Sequence, residues 1–182
     1  MAFTTDRLRL RELRQSDKPQ ILALFNDYQV QESGGVDYTV PRGDQFFDRW
    51  SGWAKGCTFF SILETKDTDP SFIGFAALGM QYSRNRDAEF SIAIARSEWS
   101  KGYGTEVTKW MVDYAFKGLN MHRVSLNVSS INQKAIDLYQ RSFREEGRRR
   151  GGKWAEGRWV DMLLMGITAE DFWGSEEVAT RQ

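Results

Sequence analysis

The residues most able to do chemistry are Trp99-Ser100-Lys101-Gly102-Tyr103-Gly104-Thr105. They follow the apolar run Glu89-Phe90-Ser91-Ile92-Ala93-Ile94-Ala95 and lead into a helical pattern over 103–117. A strand thus feeds a glycine-containing turn that opens a helix. The first amides of a helix have no internal acceptors and sit at the positive end of its dipole. Glycines let such a backbone approach a phosphate without side chains in the way. The turn is therefore suited to a pyrophosphate, with Lys101 adding charge; an ordinary helix start that binds nothing has the same local pattern. Two other phosphate motifs are excluded. A dinucleotide fingerprint needs a further Gly or Ala where Val107 stands. The run Gly147-Arg148-Arg149-Arg150-Gly151-Gly152-Lys153 has P-loop spacing, but Trp154 replaces the metal-binding hydroxyl and its flanks read as strands.

The elements that must position this turn are legible in part. Leu8, Leu10 and Leu13 among the charges of 7–14 predict a half-buried first strand. Ser16-Asp17-Lys18-Pro19 opens a helix carrying Ile21, Leu22, Leu24 and Phe25, broken at Ser33-Gly34-Gly35. A second helix over 42–54 spaces Phe46, Phe47, Trp50 and Trp53 on one side, a pattern suited mainly to a core. Strands are predicted over 57–64, 72–80 and 88–95, separated by turns at 66–70 and 82–87. A strand over 123–128, a helix over 132–142, and final strands over 145–153 and 158–167 complete the pattern. The class is mixed α and β with a largely antiparallel sheet.

Length and composition bound the function. The 182 residues suit one domain, and 41% hydrophobic content supports a core. Zero formal net charge and no exposed aromatic-basic motif argue against a nucleic-acid partner. No apolar run approaches a membrane span of about 20 residues, and the N-terminal residues lack the form of a signal peptide. The single cysteine, Cys57, suits a reducing, cytoplasmic setting and a place in the core of an apolar strand. Residues 141–158 hold seven basic and three acidic side chains, which reads as a solvated hairpin or as an attractor of anions.

Taken together, the segments resemble the GNAT superfamily of acetyl-CoA N-acetyltransferases, in particular its ribosomal-protein (RimJ/RimL-type) branch. The resemblance rests on Thr5-Asp6-Arg7-Leu8-Arg9-Leu10-Arg11, Phe72-Ile73-Gly74-Phe75, residues 88–92, the glycine turn, residues 119–124, 132–139 and 143–148, and Gly157-Arg158-Trp159-Val160-Asp161. It departs at Trp99, where the family has Gln or Arg, and at Arg141-Ser142-Phe143, one residue shorter than the usual Leu-Gly-Phe exit.

The resemblance implies a GNAT-like α/β (α+β) fold over 1–168, with a mostly antiparallel six-to-seven-stranded sheet, about four helices, and a partly ordered tail over 169–182. It implies acetyl-CoA as donor, with no metal. Lys101, Gly102, Tyr103, Gly104 and Thr105 would hold the pyrophosphate, and the strand of Ile92 and Ile94 would splay from that of Leu126 and Val128 to pair with the pantetheine arm. Asn132 would contact the cofactor, or simply cap its helix. A primary amine, on a protein N-terminus or a small molecule, would attack the thioester directly through a tetrahedral intermediate, without a membrane partner and compatibly with a homodimer. Tyr139 would be the general acid for the leaving thiolate. Glu89 would accept the amine proton or serve as a structural carboxylate paired with an arginine. His122 has a packing role, and a non-catalytic acyl-CoA sensor is the alternative reading.

Overall fold

The computed structural model describes residues 3–34 and 37–180, so Gly35 of the expected break lies outside the described residues. Its strands are β1 (Leu8–Arg11), β2 (Phe59–Thr65), β3 (Phe72–Gly79), β4 (Asp87–Ile94), β5 (Arg123–Ser129), β6 (Arg144–Ala155) and β7 (Arg158–Thr168). The helices are α1 (Lys18–Asn26), α2 (Tyr28–Gly34), α3 (Asp44–Gly56), α4 (Tyr103–Lys117), α5 (Gln133–Tyr139) and α6 (Ala169–Thr180). The seven strands take the order β1-β2-β3-β4-β5-β7-β6. The β1/β2, β2/β3, β5/β7 and β6/β7 ladders are antiparallel and β4/β5 is parallel, giving the mixed, mostly antiparallel sheet expected. By its contacts the chain falls into two compact units, one of residues 1–79 and 91–108, the other of 80–90 and 109–182.

In the first unit, the expected single first helix is two. Asp27 leaves helical geometry (φ −76°, ψ 117°), and its carboxylate accepts the Gln29 amide at 2.9 Å, so it ends α1 and starts α2. The core joins Ile21, Leu24 and Val30 to Phe47 and Trp50 of α3 and Ile62 and Phe75 of the sheet. Trp50 meets Phe75 edge-on at 5.2 Å and Phe60 at 5.5 Å. Each such buried ring contributes about 1.5–3 kcal/mol. The apolar stripe of α3 is thus core along Phe47 and Trp50, while Trp53 at its end stays 41% exposed.

Cys57 does not lie in a strand. It caps α3, its Sγ donates to the Trp53 carbonyl at 3.4 Å, and β2 begins only at Phe59. The thiol is half-buried, and this burial pushes its pKa up to about 11.

Two devices fix the first unit's strands. Arg11 donates in a fork to both oxygens of Asp17 at 2.8 Å and reaches Glu64 at 2.5 Å. Burial alone would raise the Asp17 carboxyl, but Arg11 and the Arg14 amide outweigh it and hold the group below its ordinary range. The second device is a bulge where Leu63 pairs with Gly74 and Glu64 with Phe72. Gly74 has φ +152°, and an added Cβ would lie 2.0 Å from the Ala93 carbonyl oxygen. Only glycine permits that approach.

In the second unit, β5 and β7 pair from Arg123/Thr168 to Ser129/Met162 and carry the buried Val124, Leu126, Met165 and Ile167. The segment read as a tail is helical from Ala169, because Phe172 is buried and stacks on Phe116 at 4.7 Å. Its first turn is held by Thr168, whose hydroxyl donates to Asp171 at 2.8 Å. No helix among the described residues is long and apolar enough to cross a membrane.

The first unit yields three stability predictions. Arg11→Met should lower stability at pH 7 by about 3 kcal/mol in urea unfolding, since it removes the fork from Asp17 and leaves Glu64 only Arg9. Because the Asp17 pKa is depressed in the fold, its contribution is present above the unfolded value near 3.8 and is lost as pH falls below it. Wild type should therefore lose its advantage over Asp17→Asn between pH 5 and pH 2, and a constant difference would refute this. Gly74→Ala should cost at least about 3 kcal/mol, read as a fall in Tm.

Candidate active site

The glycine turn lies in the first unit. Helix α4 makes its first backbone bond from the Glu106 amide to the Gly102 carbonyl at 3.2 Å. The amides of Lys101, Gly102, Tyr103, Gly104 and Thr105 donate to no acceptor among the described residues. Ser100 (φ +63°) and Gly102 (φ +85°) both occupy the left-handed region. A row of free amides alternating through such residues forms a concave donor set for an anion. The residues present therefore fit a pyrophosphate group. The Lys101 ammonium is half-exposed and pairs with Glu98 at 3.0 Å.

Trp99 explains how the turn tolerates its unusual first residue. The indole packs against the aromatic core, and its Nε1 donates to the Ile94 carbonyl at 2.7 Å. One lone pair of that carbonyl is therefore used within the chain, which narrows what Ile94 offers an added strand. Ile92 and Ile94 stand on the part of β4 that follows the last parallel rung with β5, at Glu89/Ser125. Among the described residues no further β4/β5 rung follows.

Tyr139, Glu89 and Asn132 lie in the second unit. Tyr139 is the last residue of α5, which ends there and not at residue 142 as the pattern suggested. The chain turns at once: the amides of Ser142 and Phe143 donate to the Tyr139 carbonyl at 3.0 and 2.8 Å. The short Arg141-Ser142-Phe143 exit thereby buries Phe143 against Tyr139, with ring centroids 6.1 Å apart. Phe90 meets Tyr139 edge-on at 6.3 Å. The Tyr139 hydroxyl makes no hydrogen bond among the described residues, and burial pushes its pKa up to about 12. Asn132 is the cap of α5, accepting the Ala135 amide at 3.2 Å.

Glu89 is exposed, and its carboxylate accepts from the Asn127 amide at 3.3 Å. Among the described residues no arginine pairs with Glu89; the nearby Arg123 binds Glu146 and lies 3.5 Å from Asp87. His122 is also exposed, and among the described residues its hydrogen bonds are those of its backbone, donating to Arg86 and accepting from Ala169. The packing role inferred for its side chain is not observed.

The basic hairpin is not simply solvated. Lys153 is buried, Arg148 pairs with Glu145 at 3.0 Å, and Arg144 pairs with Asp171 at 3.1 Å. Arg149, Arg150 and Arg158 make no ion pair among the described residues. Trp154 and Trp159 face each other across β6 and β7, 57% and 67% exposed, with rings 5.4 Å apart. An exposed tryptophan pair thus stands on this hairpin. Among the described residues, no group of three His, Cys, Asp or Glu side chains could hold a metal ion.

Residues 7–142 match the acetyltransferase (GNAT) domain, which is most of the chain. The chain belongs to the GNAT acetyltransferase family. The uncharacterized N-acetyltransferase p20 of Bacillus licheniformis is 32% identical over 116 residues, covering 63% of this chain and 64% of that protein. The spermidine N(1)-acetyltransferase of Vibrio cholerae is 32% identical over 113 residues, covering 62% and 65%. The chain thus spans just under two thirds of these relatives' length. By structure, the Vibrio cholerae spermidine N-acetyltransferase in complex with CoA and spermine superposes with a TM-score of 0.79 at 26% identity, over 91% of this chain and 98% of that one.

The residues that sequence reasoning missed are those that grip the GNAT turn from outside. Arg7 donates from NH1 to the Lys101 carbonyl at 2.9 Å and from Nε to Glu106 at 2.7 Å. The available signal was a glutamate in the first turn of α4, where an anion site should avoid negative charge unless a cation neutralises it.

If the turn holds the pyrophosphate, Gly104→Val should crowd it and raise the Kd for acetyl-CoA by about tenfold or more in calorimetry. Unchanged affinity in a folded variant would place the site elsewhere.

Proposed function

We propose that the chain is an acetyl-CoA-dependent N-acetyltransferase of the RimJ/RimL-type branch, acting on a primary amine in the cytoplasm. The observation that carries this reading is the turn at 101–105, with consecutive amides free of internal acceptors at the start of a helix. Membership of the GNAT family supports acetyl-CoA as the donor whose pyrophosphate these amides hold. The donor supplies an activated acetyl group as a thioester. The chain's residues orient it, accept a proton from the amine and stabilise the departing sulfur.

Glu89 is the candidate for the amine proton, since it is exposed and, among the described residues, bonded only through a neutral amide, which leaves its carboxylate able to accept through water. Tyr139 is the candidate at the sulfur. With its pKa near 12 and an ordinary thiol near 8.5, full proton transfer to the thiolate is uphill by about 5 kcal/mol. Its contribution is therefore a hydrogen bond to the developing charge, and the thiolate takes its proton later. A free hydroxyl on a packed ring suits that role, because no competing partner must be released.

The acceptor is an amine in either a polyamine-sized molecule or a protein N-terminus. Similarity to spermidine acetyltransferases supports the former, and the opening residues 5–11 support the latter. A thiol-release assay with acetyl-CoA against polyamines, amino sugars and N-terminal peptides tests this. Turnover of at least one class is expected, whereas tight CoA binding with no turnover across the panel would favour a non-catalytic acyl-CoA sensor. Tyr139→Phe should lower kcat about 10²-fold while leaving the Kd for CoA within about twofold. As the phenol stays protonated until about pH 12, kcat should show no Tyr139-linked decline below pH 11.

A further inference from the structure

The amides that bind an anion at the turn cannot also hold the turn in shape. The backbone N–H groups of residues 101–105 bond no acceptor among the described residues, and Ser100 and Gly102 sit in the left-handed region. A non-glycine residue such as Ser100 is disfavoured there. The shape must therefore be fixed through carbonyls and side chains, from a segment distant in sequence.

Arg7 supplies that fixation. Its NH1 donates to the Lys101 carbonyl at 2.9 Å, and its guanidinium carbon lies 4.4 Å over the Tyr103 ring. An added Cβ on Gly102 would come 3.3 Å from its NH2 group, so the side chain rests against the glycine itself. The guanidinium is in turn fixed by Glu106, to which Nε and NH2 both donate at 2.7 Å. The Arg7 amide donates to the other Glu106 oxygen at 2.9 Å, and the Thr5 hydroxyl donates to that same oxygen. Thr5 is anchored by the Leu8 amide at 3.0 Å.

Glu106 has a cost in such a place, since a carboxylate in the first helical turn repels an incoming anion. Burial works to raise its pKa, but the bonds from Thr5 and Arg7 outweigh that and keep it charged. Arg7 cancels that charge while using it as a brace. The three contacts, to a carbonyl, a ring and a glycine, converge on successive residues of the turn.

We infer that Arg7, braced by Glu106, is a positioning residue that presets the turn at 101–105 for a pyrophosphate and so selects for nucleotide-bearing acyl donors. This rests on the N-acetyltransferase reading and adds a residue through which that site acts.

The test compares Arg7→Met and Arg7→Lys with wild type, using CoA, dephospho-CoA and S-acetylpantetheine. Arg7→Met should raise the Kd for CoA and dephospho-CoA equally, by at least about tenfold. The KM for acetyl-CoA should rise with it, with kcat at saturation within about twofold. The kcat/KM for S-acetylpantetheine, which has no pyrophosphate, should stay within about twofold of wild type. Arg7→Lys keeps the charge but not the planar fork, and should recover less than half of the lost affinity on a logarithmic scale. Should Arg7→Met fail to fold, Arg7→Lys alone reads the same contrast between the nucleotide and pantetheine donors.

Unchanged CoA affinity in a folded variant overturns the inference. So does a loss confined to CoA and absent with dephospho-CoA, which would mean contact with the 3′-phosphate. A parallel fall with S-acetylpantetheine would also overturn it, leaving a merely structural role. If wild type itself bound no CoA, the functional reading would fail first, and that result is separable because it needs no variant.

Discussion

A backbone group cannot serve two partners at full strength, and the turn between β4 and α4 is organised by that limit. Five amides left free for a ligand are five hydrogen bonds missing from the loop's own stability, each worth about 1 kcal/mol. The molecule recovers the loss with side chains from outside the loop. Arg7 reaches in from the residue before β1, Glu106 receives it from the helix that the turn begins, and Trp99 ties the preceding residues to Ile94 and the aromatic core. Rigidity is thereby separated from the surface that binds.

The same division appears in the first unit's sheet. The bulge at Gly74 lets the backbone of Ala93 approach more closely than any side chain would allow, and the Ala95 amide closes on the Ile73 carbonyl at 2.8 Å. The strand that leads into the turn is thus held by its β3 neighbour. In the second unit, Tyr139 is held by rings and by the chain reversal at its own carbonyl, which leaves its hydroxyl uncommitted. Both candidate groups, the amides and the phenol, are fixed through atoms other than those that would react.

The fold was largely legible because apolar spacing reports burial directly. The stripe at Phe47 and Trp50, the run through β3 and the strand–turn–helix at 89–105 all follow that rule. What escaped were features set by a single side chain or by partners distant in sequence. Asp27 split one helix into two by capping, a decision made by one carboxylate. Cys57 looked like strand because its neighbours are apolar, yet it ends a helix. His122 was given a packing role, yet its side chain is exposed, and the bond that Glu89 makes is to Asn127, a residue 38 positions away. The Arg7–Glu106 brace joins residues 99 positions apart, and no local pattern encodes such a pair. The exposed Trp154–Trp159 pair was hidden for a similar reason, since it forms only when β6 and β7 pair, and apolar spacing reports neither that pairing nor the exposure.

The position of Cys57 also bears on how the chemistry can be followed. It is the chain's single sulfhydryl, it sits half-buried at the end of α3, and near neutral pH it stays in its protonated, unreactive form. A sulfhydryl liberated from a donor in solution faces neither restraint. Colorimetric disulfide reagents should therefore report liberated coenzyme against little background from the polypeptide, so turnover can be monitored continuously without first removing the cysteine.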